Sequence, residues 1–386
     1  MRIFFDHQAF EVQRIGGVSR SYAELISHIR NIGYDCQVGV KESNNVYLNK
    51  IGVAGIKPLH YRHKLLYGER QLFKGQWNIT GKVLRMLGHK NEYRNINKEY
   101  CIKLLKKQKF DIFEPTFFDS YFLPYLKNKP FVLTVHDMIP ELFPEYFSRD
   151  DFQIVQKQKL CPLAAHIHVP SKKTKEDLVN ILNIFPEKIT VIPHGKPDYI
   201  TKDCMSMPLC DFQYILYVGD RYGYKNFLPF LKEYSHIAKK YPEIRLVCTG
   251  KDFNDNEKAL ISNLGIGENV TTRFVSEEIL MNLYHHATVF VYPSAYEGFG
   301  IPILEAFAAE CPVMLNDASC FPEVAENAAI YFDINKDGDL FEKFENFYLS
   351  GESSRKEMIE KGRLQVEKYS WEKSAELLSN IYISIV

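Results

Sequence analysis

The length, composition and charge of the chain exclude several classes of protein. Its 386 residues are 46% hydrophobic and 25% charged, with a formal net charge of zero, which is typical of a globular protein. At about 150 residues for each domain, this length suggests two domains. No run of about 18 apolar residues and no basic-then-apolar leader occurs, which predicts a cytoplasmic protein without a membrane-spanning helix.

The eight cysteines give no sign of a metal site or of a disulfide framework. None of them shows Cys-x2-Cys spacing, and several lie within apolar runs. Such cysteines are typical of buried thiols in a reducing compartment. The sequence therefore predicts no zinc site.

The first elements of the chain are a strand, a glycine-containing loop and a helix. Arg2–Phe5 reads as the strand, and Gly16-Gly17 precedes a helix predicted from about Val18 to Asn31. The glycine pair is not the Gly-x-Gly-x-x-Gly pattern of dinucleotide-binding proteins, so the main sequence evidence for a dehydrogenase is absent. Glycines at this position allow backbone amides to approach a ligand, although an ordinary turn between the strand and the helix explains them equally well.

Residues 61–109 carry a local excess of positive charge. This segment has 13 Lys and Arg residues but 3 Asp and Glu residues, and apolar residues are interleaved with the charges. It is typical of amphipathic helices that lie on an anionic membrane surface, and equally of ordinary solvated helices with Lys-rich faces. Nucleic-acid binding is disfavoured because no recognised motif accompanies the charge.

Buried strands predicted at residues 111–114 and 131–135 lead to His136-Asp137. A histidine at the carboxyl end of a buried strand is placed for a ligand site, although a histidine that only bonds a nearby backbone group is commoner. His166 and His168 lie within a later strand and are predicted to be structural. A stretch without periodicity, residues 201–212, is predicted to be a linker.

A second set of alternating strands and helices begins at Tyr214. This alternation predicts parallel sheets with right-handed crossovers in both halves of the chain. The turn after the first strand of this set contains Gly219, Arg221 and Lys225. Its two cations would stabilise charge that builds on a leaving phosphate, unless they are simply solvated at the surface.

The stretch from Thr288 to Asp317 reads as strand, glycine-rich turn, helix and strand. Glu297 opens the turn, and Glu305 interrupts the apolar face of the helix. The turn itself consists of Gly298, Phe299 and Gly300. Backbone amides at a helix N-terminus bind anions, so this turn suits an anionic ligand that carries hydroxyl groups. Alternatively, Glu305 is a first-turn glutamate that points to water.

Residues 333–339, with the sequence DINKDGD, look like half of a calcium loop. The EF-hand pattern needs a glutamate at its twelfth position, where this chain has Phe344. The segment is better explained as a turn that caps the helix from Leu340. We therefore predict no metal site.

These motifs together resemble glycosyltransferase family 4 over nearly the whole chain. The family is retaining, uses nucleotide sugars and has a Glu-x7-Glu signature that matches Glu297 and Glu305. The resemblance implies the α/β GT-B fold, with two Rossmann-like parallel-sheet domains facing a cleft. It places an acceptor-binding domain at 1–200, the linker at 201–212, a nucleotide-sugar-binding domain at 213–370 and, at 371–386, a helix that crosses back to the first domain.

The resemblance also implies roles for individual residues. The catalytic residues would be His136, Glu297, Lys225 and Arg221. The donor-binding residues would be Gly16, Gly17, Gly219, Gly250, Lys251, Val275, Gly298, Phe299, Gly300 and Glu305. Among these, Glu305 would bond the ribose, Glu297 would lie by the sugar ring, and the base would sit near Gly250, Lys251 and Val275. The family commonly has an arginine directly after the glycine, where this chain has Asp220, so Arg221 is shifted by one position.

The predicted activity follows from the same resemblance. It is transfer of a hexose, without a cofactor or metal, from UDP-glucose or GDP-mannose to a glycan or polyprenyl-diphosphate-linked acceptor in surface-polysaccharide biosynthesis. The motifs resemble the mannosyltransferase branch, but glucosyltransferases look much alike. Residues 61–109 would hold the enzyme at the inner face of the plasma membrane. The alternatives are another GT-B nucleotide-sugar enzyme, such as an epimerase, and a non-catalytic nucleotide-sugar-binding scaffold.

Overall fold

The computed structural model of the protein describes residues 1–12, 14–53, 55–58, 95–198 and 206–386. Most of the basic segment 61–109 lies outside these residues, as do residues 201–205 of the predicted linker. Among the described residues, no helix is both long and apolar enough to cross a membrane.

The N-terminal half contains two parallel three-stranded sheets that join edge to edge. The strands are β1 (Arg2–Phe5), β2 (Asp35–Val38), β3 (Ile112–Glu114), β4 (Val132–Thr134), β5 (His166–Val169) and β6 (Ile189–Val191). Their orders are β2-β1-β3 and β4-β5-β6. A parallel bridge between Phe113 and Phe131 connects β3 to β4, so the six strands form one nearly continuous layer.

Seven helices cover this layer in the described N-terminal part of the chain. They are α1 (Gln8–Val12), α2 (Gly17–Asn31), α3 (Ile96–Lys107), α4 (Leu123–Leu126), α5 (Ile139–Leu142), α6 (Phe152–Leu163) and α7 (Lys172–Leu182). The start of α7 is fixed by Ser171, whose hydroxyl accepts a hydrogen bond from the Thr174 amide at 3.1 Å. The long helix α2 begins directly at the predicted glycine pair.

The C-terminal half has one six-stranded parallel sheet. Its strands are β7 (Tyr214–Tyr217), β8 (Arg245–Thr249), β9 (Val270–Arg273), β10 (Val289–Tyr292), β11 (Val313–Asn316) and β12 (Ile330–Phe332). Its helices are α8 (Phe227–Lys240), α9 (Asp255–Leu264), α10 (Glu277–His286), α11 (Ile301–Ala308), α12 (Phe321–Ala325), α13 (Asp339–Leu349) and α14 (Gly351–Val366). The strand order is β12-β11-β10-β7-β8-β9, so the direction of winding reverses between β7 and β10. Ligands of such sheets bind beyond the carboxyl ends of the strands at this reversal.

Apolar side chains cover both faces of each sheet. Two buried clusters flank the C-terminal sheet, and two more flank the N-terminal layer. Strands buried on both faces need apolar residues at nearly every position, which β10 illustrates with the sequence Val-Phe-Val-Tyr and four buried side chains. The two halves therefore have separate cores.

The last helix, α15 (Trp371–Ile385), leaves the C-terminal half and packs on α2. Trp371 and Leu378 lie in an apolar cluster with residues of β1 and α2. The Ser374 hydroxyl donates to the Pro193 carbonyl oxygen at 2.6 Å, and the Tyr382 hydroxyl donates to the buried Glu114 carboxylate. This helix therefore links the two halves and contributes to the N-terminal core.

Candidate active site

An ion pair lies where the winding of the C-terminal sheet reverses. Lys225 ends a 3-10 turn after β7, and Glu297 follows β10. The Lys225 Nζ donates to a Glu297 carboxylate oxygen at 2.6 Å, and the two side chains are 15% and 11% exposed. Burial lowers the pKa of Lys225, but the charge of Glu297 and its hydrogen bond, with the charges of Tyr224 and Asp137, together outweigh burial, so the net pKa is raised. The site therefore keeps a fixed positive charge at neutral pH.

The turn after Glu297 touches the N-terminal half through Gly298. A Cβ atom at this position would lie 1.9 Å from the carbonyl oxygen of His136. The Thr174 hydroxyl donates to the Gly298 carbonyl oxygen at 3.3 Å. Only glycine fits this contact, and it brings the His136 loop directly against the loop that carries Glu297.

The His136 ring lies buried at this contact between the two halves. Its Nε2 atom has no hydrogen-bond partner among the residues that the structure describes. Burial lowers the pKa of His136 to about 4, although the nearby Asp137 charge opposes the shift. The imidazole is therefore neutral near pH 7, a form in which one ring nitrogen can donate a hydrogen bond and the other can accept one.

The sequence did not point to a second buried histidine, His194. Its ring stacks on His136 at 6.2 Å between centroids and contacts the rings of Phe299 at 5.1 Å and Trp371 at 5.5 Å. Burial, with the neighbouring His136, lowers the pKa of His194 to about 3. His194 follows β6 as His136 follows β4, so a histidine just beyond a strand end was the available signal.

We expect these two histidines to make the folded protein sensitive to mild acid. Their pKa values are near 6.5 when unfolded but about 4 and about 3 when folded, so between pH 6.5 and 4 the unfolded chain binds more protons. The stability that they contribute is complete above pH 6.5 and is lost as the pH falls. The melting temperature should therefore decrease from pH 7 to pH 5.

A variant isolates the contribution of one ring. His194→Phe keeps an aromatic ring but cannot be protonated, so its melting temperature should decrease less steeply over the same pH range. His236→Phe, at a side chain that is 43% exposed, should decrease as the wild type does. Equal slopes for His194→Phe and the wild type would contradict this prediction. His168, which lies near both rings and contacts Glu114 at 3.2 Å, is unchanged in the wild type and in both variants, so it does not cause a difference between their slopes.

Arg221 does not join Lys225 in this structure. Its Nε donates to a Glu257 carboxylate oxygen at 3.0 Å, and its Nη2 donates to the Lys251 carbonyl oxygen at 2.6 Å. The guanidinium also lies over the rings of Phe227 and Phe253. These partners fix Arg221 as a link between the ends of β7 and β8. Its predicted contact with a diphosphate stays a prediction that this arrangement does not favour.

Of the predicted base-binding positions, Gly250 and Lys251 follow β8 and Val275 follows β9, while Gly219, another predicted donor-binding residue, follows β7. Gly219 and Gly250 both have positive φ angles, 115° and 116°, that favour glycine. A Cβ atom on Gly250 would lie 3.5 Å from the Gly219 carbonyl oxygen. Lys251 follows, and Val275 packs partly buried on the edge of the core. The ends of β7 and β8 thus present adjacent backbone.

The remaining predicted residues meet where α2 faces α11. A Cβ atom on Gly17 would lie 3.6 Å from the Ile301 side chain, so the glycine pair Gly16-Gly17 approaches the start of α11. Gly300 has a φ of 91° and begins that helix. The Glu305 side chain is 7% exposed and pairs with Arg20 at 2.8 Å, which excludes the alternative that it points to water.

An aromatic contact also spans the two halves. The Tyr146 ring packs on Gly223, where a Cβ atom would lie 2.4 Å from the ring. Beside it, the rings of Phe143 and Tyr224 are 5.3 Å apart. Gly223 begins the 3-10 turn that ends in Lys225. The N-terminal half therefore supports the turn that carries the site's cation.

We expect Gly223→Ala to lower the catalytic rate by roughly tenfold. The added methyl group displaces either the Tyr146 ring or the turn that carries Lys225, and small misplacements of catalytic groups slow the reaction. Tyr146→Ala in the same chain removes the obstructing ring and should recover much of the loss. Steady-state kinetics of both variants test this. A Gly223→Ala variant as active as wild type, or a double variant no better than the single one, would contradict the contact's role.

One group of possible metal ligands occurs among the described residues, and none of its members was predicted for the site. It consists of Glu233, His236 and Asp337. Glu233 already accepts hydrogen bonds from the amides of Gly338 and Phe341. In the adjoining 333–339 loop, the Asp339 carboxylate accepts from the Asp333 amide at 2.9 Å. These carboxylates thus cap local backbone.

Two Rossmann-like domains whose strand ends face one cleft define the GT-B class of glycosyltransferases. Residues 15–196 match the family described as Glycosyltransferase Family 4, and residues 210–365 match Glycosyl transferases group 1. A crystal structure of a glycosyltransferase from Rickettsia africae ESF-5 has the same fold, with a TM-score of 0.68, 18% identity, and coverage of 100% of this chain and 98% of that one. The chain belongs to glycosyltransferase family 4.

Two curated relatives are more similar in sequence. The O-antigen chain mannosyltransferase RfbU of Salmonella typhimurium is 32% identical over 223 residues, which cover 56% of this chain and 59% of the relative. The O-antigen chain mannosyltransferase B of Escherichia coli is 28% identical over 281 residues, which cover 68% of this chain and 72% of the relative. The match thus spans between about three fifths and three quarters of these relatives.

Proposed function

We propose that this glycosyltransferase is a retaining hexosyltransferase that moves mannose or glucose from a nucleotide sugar to a glycan or polyprenyl-diphosphate-linked acceptor. The product would contribute to a surface polysaccharide. The observation that carries the proposal is the Lys225–Glu297 pair, which lies at the sheet reversal directly beside the Gly298–His136 contact. The O-antigen mannosyltransferase names of both relatives support mannose, and UDP-glucose stays the second donor.

The chemistry assigned to the site needs one cation and one neutral hydrogen-bonding group. The bond between the sugar C1 and the diphosphate breaks, and an acceptor oxygen bonds C1 on the same face. The proton of the acceptor hydroxyl passes to the departing phosphate oxygen. Lys225 stabilises the charge that develops there, while the neutral His136 contacts the sugar. Glu297 orients Lys225 and lies beside the sugar ring, and Glu305 receives the ribose hydroxyls.

Lysine supplies the positive charge that a metal ion supplies in other sugar transferases, so we propose that the reaction is metal-independent. Activity should be the same in EDTA and in added Mg²⁺ or Mn²⁺. A loss of activity in EDTA that is restored by one of these ions would overturn this part of the proposal.

A thermal-shift screen tests donor binding before the acceptor is known. UDP, GDP, UDP-glucose and GDP-mannose are each added at about 100 times the dissociation constant, which raises the stability of the folded state by roughly 2.7 kcal/mol. A shift with one nucleotide series would identify the base. No shift with any of them would contradict nucleotide-sugar binding.

Two other functions are distinguished by their products. An epimerase would convert the donor's sugar to an isomer without any acceptor, and the product would still be a nucleotide sugar. A non-catalytic scaffold would bind a nucleotide sugar and leave it unchanged. Transfer of the sugar to an acceptor excludes both.

We also propose that the enzyme acts at the inner face of the plasma membrane, held there by the basic segment 61–109. The support is its excess of ten positive charges, because Lys and Arg near an anionic surface contribute about 1 kcal/mol each. Liposomes with anionic lipid should co-sediment the protein at low salt and release it at high salt. Equal binding to neutral liposomes, or no binding at low salt, would contradict this.

A further inference from the structure

Arg20 is the charged residue of the glycine-loop helix α2 that reaches across to the donor side of the cleft. Its Nη1 contacts a Glu305 carboxylate oxygen at 2.8 Å, and its Nη2 contacts a Glu277 carboxylate oxygen at 2.5 Å. Its side chain is 13% exposed, and that of Glu305 is 7% exposed. One guanidinium from the N-terminal domain thus joins two carboxylates of the C-terminal domain.

Further contacts hold this arrangement in place. The Tyr47 hydroxyl donates to the same Glu277 oxygen at 2.7 Å, and the Arg20 guanidinium lies 5.6 Å from the centre of the Tyr47 ring. On the other side, the Tyr284 hydroxyl donates to the second Glu305 oxygen at 3.4 Å. Both carboxylate oxygens of Glu305 therefore have partners that fix the plane of the group.

The orientation of Glu305 follows from these contacts. A buried carboxylate is costly unless it is paired. The rigid, planar guanidinium is held between Glu277 and Glu305, so its Nη1 reaches Glu305 from a fixed direction, which a flexible lysine ammonium does not provide. A carboxylate oxygen can accept more than one hydrogen bond, so pairing with Arg20 is compatible with further hydroxyl donors. Arg20 thus pairs with Glu305 and fixes its direction.

We propose that Arg20 is a positioning residue for nucleotide binding, which orients Glu305 toward the ribose of a nucleoside diphosphate from the opposite domain. The inference rests on the proposed function and adds to it a residue outside the Glu-x7-Glu motif. Because Arg20 belongs to the N-terminal domain and Glu305 to the C-terminal domain, ribose binding is strongest when the two domains are in contact.

The test compares affinities for two ligands. The first ligand is the nucleoside diphosphate that shifts the melting temperature, and the second is its 2′,3′-dideoxy analogue. Calorimetry measures the dissociation constant of each ligand for wild type and for Arg20→Met. Arg20→Met should weaken binding of the ribonucleotide by roughly tenfold, the value of one hydrogen bond to a charged group, and should weaken binding of the dideoxy analogue less than twofold. A residue that only stabilises the fold would weaken both equally.

Two further variants guard against a folding defect. Arg20→Lys keeps the charge beside Glu305 but loses the planar fork, so it should show the same ribose-dependent pattern with a smaller loss. Arg363→Met, which removes an exposed pair with Glu360 on α14, should bind both ligands as wild type does.

The outcomes separate this inference from the proposed function. Equal losses of affinity for both ligands in Arg20→Met would overturn the role of Arg20. Tighter ribonucleotide binding by Arg20→Met would also overturn it, because the arginine would then compete with the ribose for Glu305. A wild type that binds both ligands equally would also overturn it and leave the transferase proposal standing. A wild type that binds no nucleotide would overturn both.

Discussion

Replacing Lys225 with alanine should reduce kcat/KM by about 100-fold or more while the protein remains folded. Single groups that stabilise transition-state charge are worth this much, and Lys225 is the buried cation that meets Glu297 at the sheet reversal. If it acts mainly on the leaving diphosphate, the loss appears in kcat more than in KM. Steady-state kinetics with the donor identified by thermal shift measure this.

The control for Lys225→Ala must separate lost catalysis from lost stability. Removing the lysine leaves Glu297 without its partner, and breaking a buried pair costs about 3–5 kcal/mol. The double variant Lys225→Ala, Glu297→Gln removes that unpaired charge and should recover the melting temperature without recovering activity. Lys361→Ala, which breaks an exposed pair with Glu357, should change neither. A Lys225→Ala variant with wild-type turnover would refute the assignment.

Gly298→Ala should also reduce kcat/KM by about 100-fold, but for a geometric reason. The added methyl group would lie 1.9 Å from the His136 carbonyl oxygen and 3.1 Å from the Asp137 Cβ atom. Both atoms belong to the other domain and the closer one is backbone, so the contact between the Glu297 loop and the His136 loop must open. A misplacement of about 1 Å at a site can cost 100-fold in rate.

The matched control is another glycine of the same domain. A methyl group on Gly267 would meet no atom of another described residue within 4 Å, and the φ angle of Gly267 is not positive, so Gly267→Ala should behave as wild type. Small-angle X-ray scattering should show a larger radius of gyration for Gly298→Ala than for Gly267→Ala. Wild-type kinetics for Gly298→Ala would show that the domain contact is not needed for turnover.

The sequence predicted the fold well, because local patterns determine most of it. The α/β GT-B architecture and membership of family 4 are confirmed. The strand, turn and helix around Glu297 were predicted from residue types alone, and the structure has β10 at Val289–Tyr292 and α11 at Ile301–Ala308. Buried strands, glycine turns and helix-starting prolines are signals that act within a few residues.

The side-chain partners were less predictable, because they depend on residues far apart in the chain. The family resemblance predicts that Arg221 contacts a diphosphate, and this stays a prediction, but nothing in the sequence pointed to its contact with Glu257, 36 positions later. Arg20 and Glu305 are 285 positions apart and meet only when the two domains approach. The sequence carries no local signal for such contacts.

The most direct test of the central claim is transfer of labelled sugar. The protein is incubated with GDP-mannose or UDP-glucose, each radiolabelled in the sugar, and a lipid extract that contains polyprenyl-diphosphate-linked glycans. We predict that label from one donor enters the lipid fraction as an equal amount of nucleoside diphosphate is released, and that Lys225→Ala slows both by about 100-fold or more. Label that stays on an intact nucleotide, unchanged or as an isomeric sugar, would contradict the account.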